Sequence, residues 1–294
     1  MKERVNIVFV VLVYRNTQDL RDFFTNFMVE NSKVIVVESF YSESCTLEFE
    51  SIAKANSSDF ISVPNKGYGA GNNKGCKYAL EHYDFNYLVI SNADVIIEQF
   101  CEPILYNYVN SIIAPKIINL KGKNQNPSSP FKPGKLLENI ALWLYKGDHT
   151  RLIWLYFAMS RIRKSVFHCT SWISRRIFSA HGAFVIIPYS VIRSLYPLYN
   201  EDMFLFNEEE HLGRLAALNG VRTYYEPRIR ILHKEDGSMK ISSVNEFERM
   251  KQSFIAYYNY WNLLSSRMPS KTLSEAWRNS PPICAIRRKS ASRP

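Results

Sequence analysis

Two acidic side chains follow apolar runs in the first hundred residues. Glu38 comes directly after Val34–Val37, and Asp94 follows Tyr87–Ile90 after a short polar step. Carboxylate oxygens at such positions can hold a hard divalent cation, which can neutralise the negative charges of a bound pyrophosphate. A single acid after a strand is also a common helix cap. The residues around Glu38 and Asp94 are therefore needed to distinguish a ligand-binding acid from a helix cap.

The second half of the chain adds three consecutive acids, Glu208–Glu210, and a histidine, His233. The acids open a predicted helix that ends near Gly220, so their favourable interaction with the helix N-terminus explains them without any chemistry. Crowded like charges also raise the pKa of one member towards the range in which a carboxylate acts as a general base. The two explanations are compatible. A lone histidine such as His233 is more often structural than a ligand.

The order of the predicted elements brings the strand-end acids to one edge of a sheet. Apolar runs predict strands, and apolar residues at helical spacing predict helices between them. The predicted strands are Val5–Tyr14, Val34–Val37, Phe60–Val63 and Tyr87–Ile90, and the helices are Asp19–Met28, Leu47–Ala55 and a segment ending near His82. This alternation implies an open, mostly parallel α/β sheet with helices on both faces. Ligands bind such sheets beyond the carboxyl ends of the strands.

A stretch rich in glycine and asparagine, Asn65–Gly75, follows the third predicted strand. A dinucleotide-binding fingerprint would need the spacing G-x-G-x-x-G directly after the first strand. Here the spacing is G-x-G-x-G and the position is later in the chain, which argues against that class of dehydrogenase. The glycines ahead of Asn72-Asn73 predict a loop whose backbone approaches a ligand closely and offers it amide groups.

Together these segments resemble the bacterial family 2 glycosyltransferases, and among them the rhamnosyltransferase-like branch. The likeness covers roughly residues 5–240 and is carried by motifs in the family's order and spacing. Those motifs are Tyr14-Arg15-Asn16, Glu38, Asn65-x-Gly67-x-Gly69-x-Gly71-Asn72-Asn73-x-Gly75, Asn92-x-Asp94-Val95, His181-Gly182-Ala183-Phe184, Phe204-Leu205-Phe206-Asn207-Glu208-Glu209 and His233-Lys234-Glu235-Asp236-Gly237-Ser238. The resemblance implies the GT-A fold.

The resemblance also implies a nucleotide-sugar site at the strand ends. Its matching residues are Tyr14, Asn16, Glu38, Asn65, Gly67, Gly71, Asn73, Asn92 and Asp94. Glu38 would accept a hydrogen bond from a uracil or thymine base, and Asp94 and His233 would hold Mg²⁺ or Mn²⁺. Asn92 stands where the family's Asp-x-Asp motif has its first acid, and Glu38 stands where the family more often has Asp.

The implied reaction is an inverting transfer of a hexose or deoxyhexose from a UDP- or dTDP-sugar. Glu209 would be the catalytic base. Glu208 stays as the alternative, because His211 replaces the second acid that the family often has there. The acceptor would be a glycan or a lipid-linked intermediate of a bacterial surface polysaccharide.

Positive charge is concentrated in the middle of the chain. Between Lys121 and Arg176 there are eleven Lys and Arg residues against two acids, Glu138 and Asp148, within a formal net charge of +10. Residues 119–178 are predicted to be a partly helical insertion rich in basic and aromatic side chains. Two interpretations stay open: a packed helical pair with solvated charges, or a surface in peripheral contact with anionic lipid headgroups or a lipid-linked acceptor. No segment matches an RNA-recognition signature, so nucleic acid is not an expected partner.

The remaining features predict the domain organisation and the compartment. The five cysteines are scattered without a CxxC pair, and no apolar run reaches the roughly 18–20 residues that a membrane span needs. A cytoplasmic protein is therefore expected, at most peripheral at the inner face of the cell membrane. The predicted units are a glycosyltransferase domain over 1–240, an amphipathic helix within 241–269 and a disordered basic tail over 270–294.

Two other functions stay open. A sugar-phosphate nucleotidyltransferase has a similar fold, but its phosphate loop after the first strand is glycine-rich, and Tyr14–Thr17 contains no glycine. A non-enzymatic membrane- or RNA-binding module would use the basic zone and would leave the acidic residues unexplained.

Overall fold

A computed structural model describes residues 2–149, 151–153, 167, 171–235 and 243–267 of the 294-residue chain. Within these residues the chain forms a nine-stranded mixed sheet and a separate two-stranded sheet. The strands are β1 (Glu3–Arg4), β2 (Ile7–Val13), β3 (Ser32–Ser39), β4 (Asp59–Val63), β5 (Tyr83–Asp84), β6 (Tyr87–Asn92), β7 (Val95–Gln99), β8 (Ser111–Asn119), β9 (Arg175–Ile177), β10 (Phe184–Pro188) and β11 (Arg222–His233). The helices are α1 (Thr17–Thr25), α2 (Glu43–Ala55), α3 (Tyr68–His82), α4 (Glu102–Leu105), α5 (Lys135–Lys146), α6 (Tyr189–Leu195), α7 (Glu208–Leu218) and α8 (Ser243–Arg267).

The first half of the large sheet is parallel. Its strands lie in the order β4-β3-β2-β6, and the register pairs Val13 with Glu38 and Leu12 with Asn92. Side chains alternate between the two faces of β2, as the pleat requires. Phe9 packs in the same core cluster as residues of α1 and α2, and Val10 packs in the cluster that contains residues of α3. Helices therefore cover both faces, and the polar residues after these strands meet at one edge.

The second half of the sheet is mixed. β10 runs antiparallel between β6 and β8, whereas β11 pairs with β8 in parallel and with β7 antiparallel. The registers set His233 opposite both Val95 and Asn119, and Phe184 opposite Ser91. As a result, the start of β10 and the end of β11 lie at the same edge as the carboxyl ends of the parallel strands.

The expected α/β sheet covered on both faces is confirmed. The sequence patterns missed the short elements β1, β5, β9 and α4, and also β7, β8 and α6. In β8 the reason is Pro115, which lacks the N–H that a central strand normally donates. Pro115 lies opposite Glu226, where the register of β11 shifts between Glu226 and Arg230. Because the pairing is irregular at this point, the sheet accommodates a residue without a backbone N–H. The prediction of a mostly parallel sheet is correct for the first half of the sheet, whereas most strand pairs in the second half are antiparallel.

A third apolar cluster lies beside the sheet and joins α5 to α8. It contains Leu144 and Tyr145 from α5, Phe254 and Trp261 from α8, and Met203. The helix predicted within residues 241–269 is present as α8. Most of the predicted insertion between residues 154 and 170, and the whole predicted tail 270–294, lie outside the described residues. None of the helices in the described ranges is both long and apolar enough to cross a membrane.

The predicted glycine-rich loop is largely a helix, because α3 begins at Tyr68. Added Cβ atoms at Gly71 and Gly75 would collide with Leu12 and Val10 of β2. These glycines therefore let α3 lie close against the sheet, and the prediction that they form a ligand-binding loop is wrong for this part of the stretch. Gly67 remains in the loop, with φ +100° and ψ 176°.

We predict that Gly67→Ala destabilises the protein by about 1–3 kcal/mol, because only glycine readily adopts this backbone region. An added Cβ would also meet the carbonyl of Phe204, to which the Tyr68 N–H donates at 2.9 Å. Urea denaturation would measure the loss. Gly134→Ala is the matched control, since a Cβ there meets nothing within 4 Å and its φ is ordinary. Equal effects in the two variants would contradict the prediction.

Candidate active site

A cavity of about 570 Å³ opens at the carboxyl ends of β2 and β6. Its walls come from the ends of β2, β6 and β11, from the turn before β10 and from the start of α7. The polar residues that line it are Tyr14, Asn16, Asp19, Ser39, Asn65, Tyr68, Asn92, Asp94, Gln125, His181, Glu208, Glu209, His233, Glu235 and Arg249. Acids outnumber the lysines and arginines in this lining.

Asp94 and His233 meet in this cavity because β7 pairs with β11. The register that sets Val95 opposite His233 continues one residue further, where the Lys234 N–H donates to the Asp94 carbonyl at 2.8 Å. The imidazole Nε2 of His233 then lies 3.2 Å from Asp94 Oδ1, and both side chains are largely buried. Backbone pairing, rather than proximity in sequence, creates this pair.

Gln125 and Glu235 orient the His233 ring through its other nitrogen, Nδ1. Gln125 Nε2 donates to Glu235 Oε1 at 2.6 Å, and Gln125 Oε1 lies 2.8 Å from Nδ1 of His233. A carboxylate only accepts hydrogen bonds, so the amide NH₂ of Gln125 must face Glu235 and its oxygen must face His233. Nδ1 of His233 is therefore the donor in that contact, and Nε2 is the nitrogen turned towards Asp94. Asn119 also donates to Glu235, at 3.0 Å.

The environment of Asp94 favours its ionised form. Burial opposes ionisation, but the hydrogen bond and the charge of His233 outweigh burial, so the pKa of Asp94 lies below its ordinary value. A neighbouring acid, Asp19, is compensated differently, because Lys234 Nζ lies 2.8 Å from its carboxylate. The same ammonium lies 2.7 Å from Asp22. Both aspartates belong to α1, so Lys234 also fixes the end of β11 to that helix.

The start of α7 contributes Glu208 and Glu209 to the lining of the cavity. The two preceding residues, Phe206 (φ 79°) and Asn207 (φ 68°), both have left-handed backbone conformations. Such conformations are costly for residues other than glycine and recur at functional sites. One oxygen of Glu209 accepts a hydrogen bond from the Gly182 N–H at 3.3 Å. This bond ties α7 to the turn before β10.

Glu208 and Glu209 are adjacent but differ in surroundings. The Glu208 side chain is buried, and its Oε1 has no hydrogen-bond partner among the described residues. Burial and the charge of Glu209 raise the pKa of Glu208 well above its ordinary value. Glu208 is therefore harder to ionise than an ordinary glutamate. Glu209 is only partly buried.

Most of the residues predicted for the site line the cavity. These are Tyr14, Asn16, Asn65, Gly67, Asn92, Asp94, Glu208, Glu209 and His233. Glu38, Gly71 and Asn73 lie outside the lining. Glu38 is fully buried, with both carboxylate oxygens 2.9 Å from the Thr46 hydroxyl. Its proposed contact with a base stays a prediction.

Asn73 has a structural role that its motif did not indicate. Its Nδ2 donates to the Tyr199 carbonyl at 2.9 Å, and its Oδ1 accepts from the Tyr199 N–H at 3.2 Å. Nδ2 also reaches Glu201. Asn73 thus holds the segment that leads to Phe204 and α7. It supports this part of the cavity wall without lining the cavity itself.

Several polar lining residues were not singled out in the sequence: Asp19, Ser39, Tyr68, Gln125, His181, Glu235 and Arg249. His181 and Glu235 lie inside recognised motifs, but nothing in the motifs indicated their roles. Gln125 lies in an irregular stretch without any periodic pattern. Arg249 belongs to α8, where a charge normally marks the solvent face of an amphipathic helix. These residues reach the site through tertiary packing, which spacing does not reveal.

Known proteins with similar sequence or structure include sugar transferases. No protein-family model matches the sequence. The chain is 24% identical over 275 residues to the low-salt glycan biosynthesis hexosyltransferase Agl10 of Haloferax volcanii, a match that covers 90% of this chain and 80% of that protein. The similarity extends along most of both chains.

Solved structures with a similar fold are also glycosyltransferases. GalNAc-T7, crystallised with UDP, GalNAc and Mn²⁺, superposes with a TM-score of 0.52 at 12% identity, covering 93% of this chain and 53% of that structure. The chain therefore spans about half the length of GalNAc-T7. S. aureus TarS superposes with a TM-score of 0.48 at 14% identity, covering 78% of this chain and 36% of TarS. The architecture is the GT-A type of glycosyltransferase fold.

We predict that Glu208→Gln removes a pH dependence from the stability of the protein. A carboxyl whose folded pKa is raised stabilises the fold below its unfolded pKa, near 4.5, and that stability is lost as the pH rises towards the folded value. The glutamine side chain stays neutral at every pH. The free energy of unfolding of Glu208→Gln should therefore rise relative to that of the wild type, by up to about 1.4 kcal/mol per pH unit over that interval.

Urea denaturation at a series of pH values from 4.5 upwards would measure this difference. Glu50→Gln is the control, because Glu50 is exposed on α2. If the unfolding free energies of Glu208→Gln and of the wild type changed with pH in parallel, Glu208 would be ionised in the folded protein and the assignment would fail.

Proposed function

We propose that this protein is an inverting, divalent-cation-dependent glycosyltransferase that moves a hexose or deoxyhexose from a nucleotide-sugar to a hydroxyl of a glycan or lipid-linked acceptor. The observation that carries the proposal is the cavity itself, whose lining contains both the Asp94–His233 pair and the Glu208–Glu209 pair at the sheet edge of a GT-A fold. The similarity to a hexosyltransferase supports the class of reaction. Membership of the rhamnosyltransferase-like branch, and with it a deoxyhexose donor, remains part of the proposal.

The lining explains why a divalent cation is needed for the donor. A nucleotide-sugar carries a diphosphate, and a wall rich in carboxylates repels it unless a cation intervenes. Asp94 and His233 fit such an ion, because two neighbouring ligands at about 2.1 Å from one cation are about 3 Å apart. Their donor atoms lie 3.2 Å apart. Mg²⁺ or Mn²⁺ held there would neutralise the diphosphate and stabilise it as a leaving group.

The described residues contain no cluster of three or more acidic, histidine or cysteine side chains suited to a metal ion. Asp94 and His233 would therefore supply the protein ligands, and the diphosphate and water would complete the coordination. Asn92, the neighbour of Asp94 in the motif, offers an amide to the donor. The remaining predicted donor contacts are Tyr14, Asn16 and Asn65, which line the same cavity.

Glu209 is the proposed catalytic base. As the acceptor oxygen forms a bond to the anomeric carbon, the bond from that carbon to the diphosphate breaks, and Glu209 takes the hydroxyl proton. A single displacement from the opposite face inverts the anomeric centre. Glu208 is suited less well to this role, because its side chain is buried whereas that of Glu209 is partly exposed.

The proposed acceptor and compartment rest on the resemblance to the family and on the basic zone of the sequence. We propose an intermediate of a surface glycan, elongated in the cytoplasm or at the inner face of the cell membrane, as in the predicted bacterial pathways. The donor nucleotide would be UDP or dTDP, with Glu38 exchanging its contact with Thr46 for one with the base. A sugar-phosphate nucleotidyltransferase remains the second candidate on fold, and pyrophosphate release from a nucleoside triphosphate and a sugar phosphate would establish it.

A thermal-shift panel of UDP-, GDP- and dTDP-sugars, each with and without Mn²⁺, tests the proposal most directly. We expect a rise in melting temperature for one pyrimidine nucleotide-sugar, and only when the cation is present. Equal shifts with nucleoside triphosphates, or none with any nucleotide-sugar, would contradict the proposed donor site.

We predict that Asp94→Ala and Glu209→Gln both abolish transfer through different steps. Asp94→Ala should remove the cation-dependent shift with the nucleotide-sugar, because a ligand of the cation is lost. Glu209→Gln should keep that shift and lower the transfer rate by about 10²–10⁴-fold, the usual contribution of a general base. Transfer at the wild-type rate by Glu209→Gln would move the base to Glu208 or remove the assignment.

We also predict that Gln125→Leu weakens Mn²⁺ binding about 10–100-fold, the usual cost of losing an outer hydrogen bond to a metal-binding histidine. The leucine cannot accept from Nδ1 of His233, so the ring loses its orientation. Titration calorimetry with MnCl₂ and UDP would measure the change. Lys121→Gln, an exposed substitution nearby, is the control. Unchanged affinity in Gln125→Leu would show that Gln125 does not orient the ligand.

A further inference from the structure

One face of α5 exposes a stripe of large apolar side chains. Leu136, Ile140 and Trp143 follow the spacing i, i+4, i+7, which brings them onto one side of a helix. Their exposed fractions are 73%, 40% and 57%. Single exposed apolar residues are common on soluble proteins, but a continuous stripe indicates an interaction surface.

The opposite face of α5 fixes the helix to the protein. Glu138 forms an ion pair with Arg214 of α7. Leu144 is buried, and the Tyr145 ring packs against Phe254 of α8 with centroids 5.0 Å apart. The exposed stripe is therefore presented on a firmly packed helix.

Basic residues flank the stripe, and the nearby acids already have partners. Lys132 precedes the helix, and Lys135 and Lys146 lie at its two ends, all exposed to solvent. Glu138 is committed to Arg214, and Asp148 accepts from Lys251 at 2.5 Å. The face thus combines exposed apolar side chains, one of them tryptophan, with positive charge. Helices that lie in the interface of an anionic bilayer have this combination.

We propose that α5 docks the protein on the surface of an anionic lipid bilayer, with the stripe of Leu136, Ile140 and Trp143 entering the headgroup region and the three lysines facing lipid phosphates. Interfacial tryptophan and flanking lysines suit that depth. This proposal deepens the proposed function, because it gives the acceptor a lipid-linked setting.

The connection to the cavity is short. Glu138 of α5 pairs with Arg214 of α7, and the first turn of α7 carries Glu209. α8 packs on α5 and contributes Arg249 to the cavity wall. Docking through α5 therefore fixes the two helices that border the side of the cavity where the proposed base lies. An acceptor anchored in the same bilayer would reach this side.

Co-sedimentation of the full chain with vesicles tests the proposal without any donor or acceptor. We expect binding to vesicles of phosphatidylcholine with phosphatidylglycerol and much weaker binding to phosphatidylcholine alone. The triple variant Lys132→Gln, Lys135→Gln, Lys146→Gln should bind the anionic vesicles more weakly, by about fivefold per lysine at low salt. Leu136→Ser, Ile140→Ser, Trp143→Ser combined should reduce binding at least tenfold, roughly, through lost apolar contact.

Matched controls use exposed residues on other elements. Lys54→Gln, Lys74→Gln, Lys77→Gln matches the charge change, and Met28→Ser, Leu47→Ser, Tyr106→Ser matches the apolar change. Equal losses in the control and α5 variants would overturn the proposal, as would wild-type protein that stays in the supernatant with anionic vesicles. A stripe that instead joins two copies of the chain, seen by sedimentation velocity, would also overturn it.

The thermal shift with nucleotide-sugar and Mn²⁺ is measured in the same variants. In the wild-type protein, measured in parallel, a normal shift without vesicle binding would reject the docking surface and leave the proposed reaction intact, whereas the α5 variants are expected to keep the shift and lose vesicle binding. Vesicle binding without any nucleotide-dependent shift would support the docking surface and contradict the proposed donor site. The two proposals can therefore fail separately.

Discussion

The pairing of β11 with β7 and β8 is the interaction on which the candidate site depends. Asp94 and His233 are far apart in sequence, and the backbone ladder alone brings Val95 opposite His233. Side chains alternate along a strand, so a shift of one residue would turn His233 to the other face of the sheet. The ladder continues through the Lys234 N–H to Asp94, and the Lys234 ammonium binds α1 through Asp19. The register is thereby fixed by charge as well as by backbone hydrogen bonds.

A cavity rich in acids is stable only if each carboxylate has its own compensation. Asp94 has His233, and Asp19 has the ammonium of Lys234. Glu235 accepts from the side-chain amides of Asn119 and Gln125. Glu208 lacks a partner for one oxygen, and its pKa is raised well above the ordinary value. Burial of an unpaired carboxylate is costly, and the raised pKa is the expression of that cost. A bound cation would add a further compensation beside Asp94.

The sequence predicted the parts of the fold and site that depend on local pattern. Continuous apolar runs indicated the parallel strands, and the position of Asp94 after one of them indicated the sheet edge. The glycines of Asn65–Gly75 misled, because close packing of a helix on a sheet requires glycine just as a ligand-binding turn does. Gln125 could not be predicted, since its role depends on Glu235 and His233 being brought to it by β11. Long-range registers of this kind have no signature in residue spacing.

Glu208 and Glu209 are identical, adjacent residues with different surroundings, and they follow two residues with strained backbone conformations. Both belong to the first turn of α7, and their order alone does not tell which one faces a substrate. The left-handed residues Phe206 and Asn207 set the direction in which α7 begins, so one acid is buried while the other remains partly exposed. Strain of this kind persists only where the neighbouring structure holds it. Here Gly67 admits the backbone at Phe204, and Asn73 clamps Tyr199. The glycine-rich stretch thus acts on the proposed chemistry indirectly, by holding the segment that aims Glu209 into the cavity.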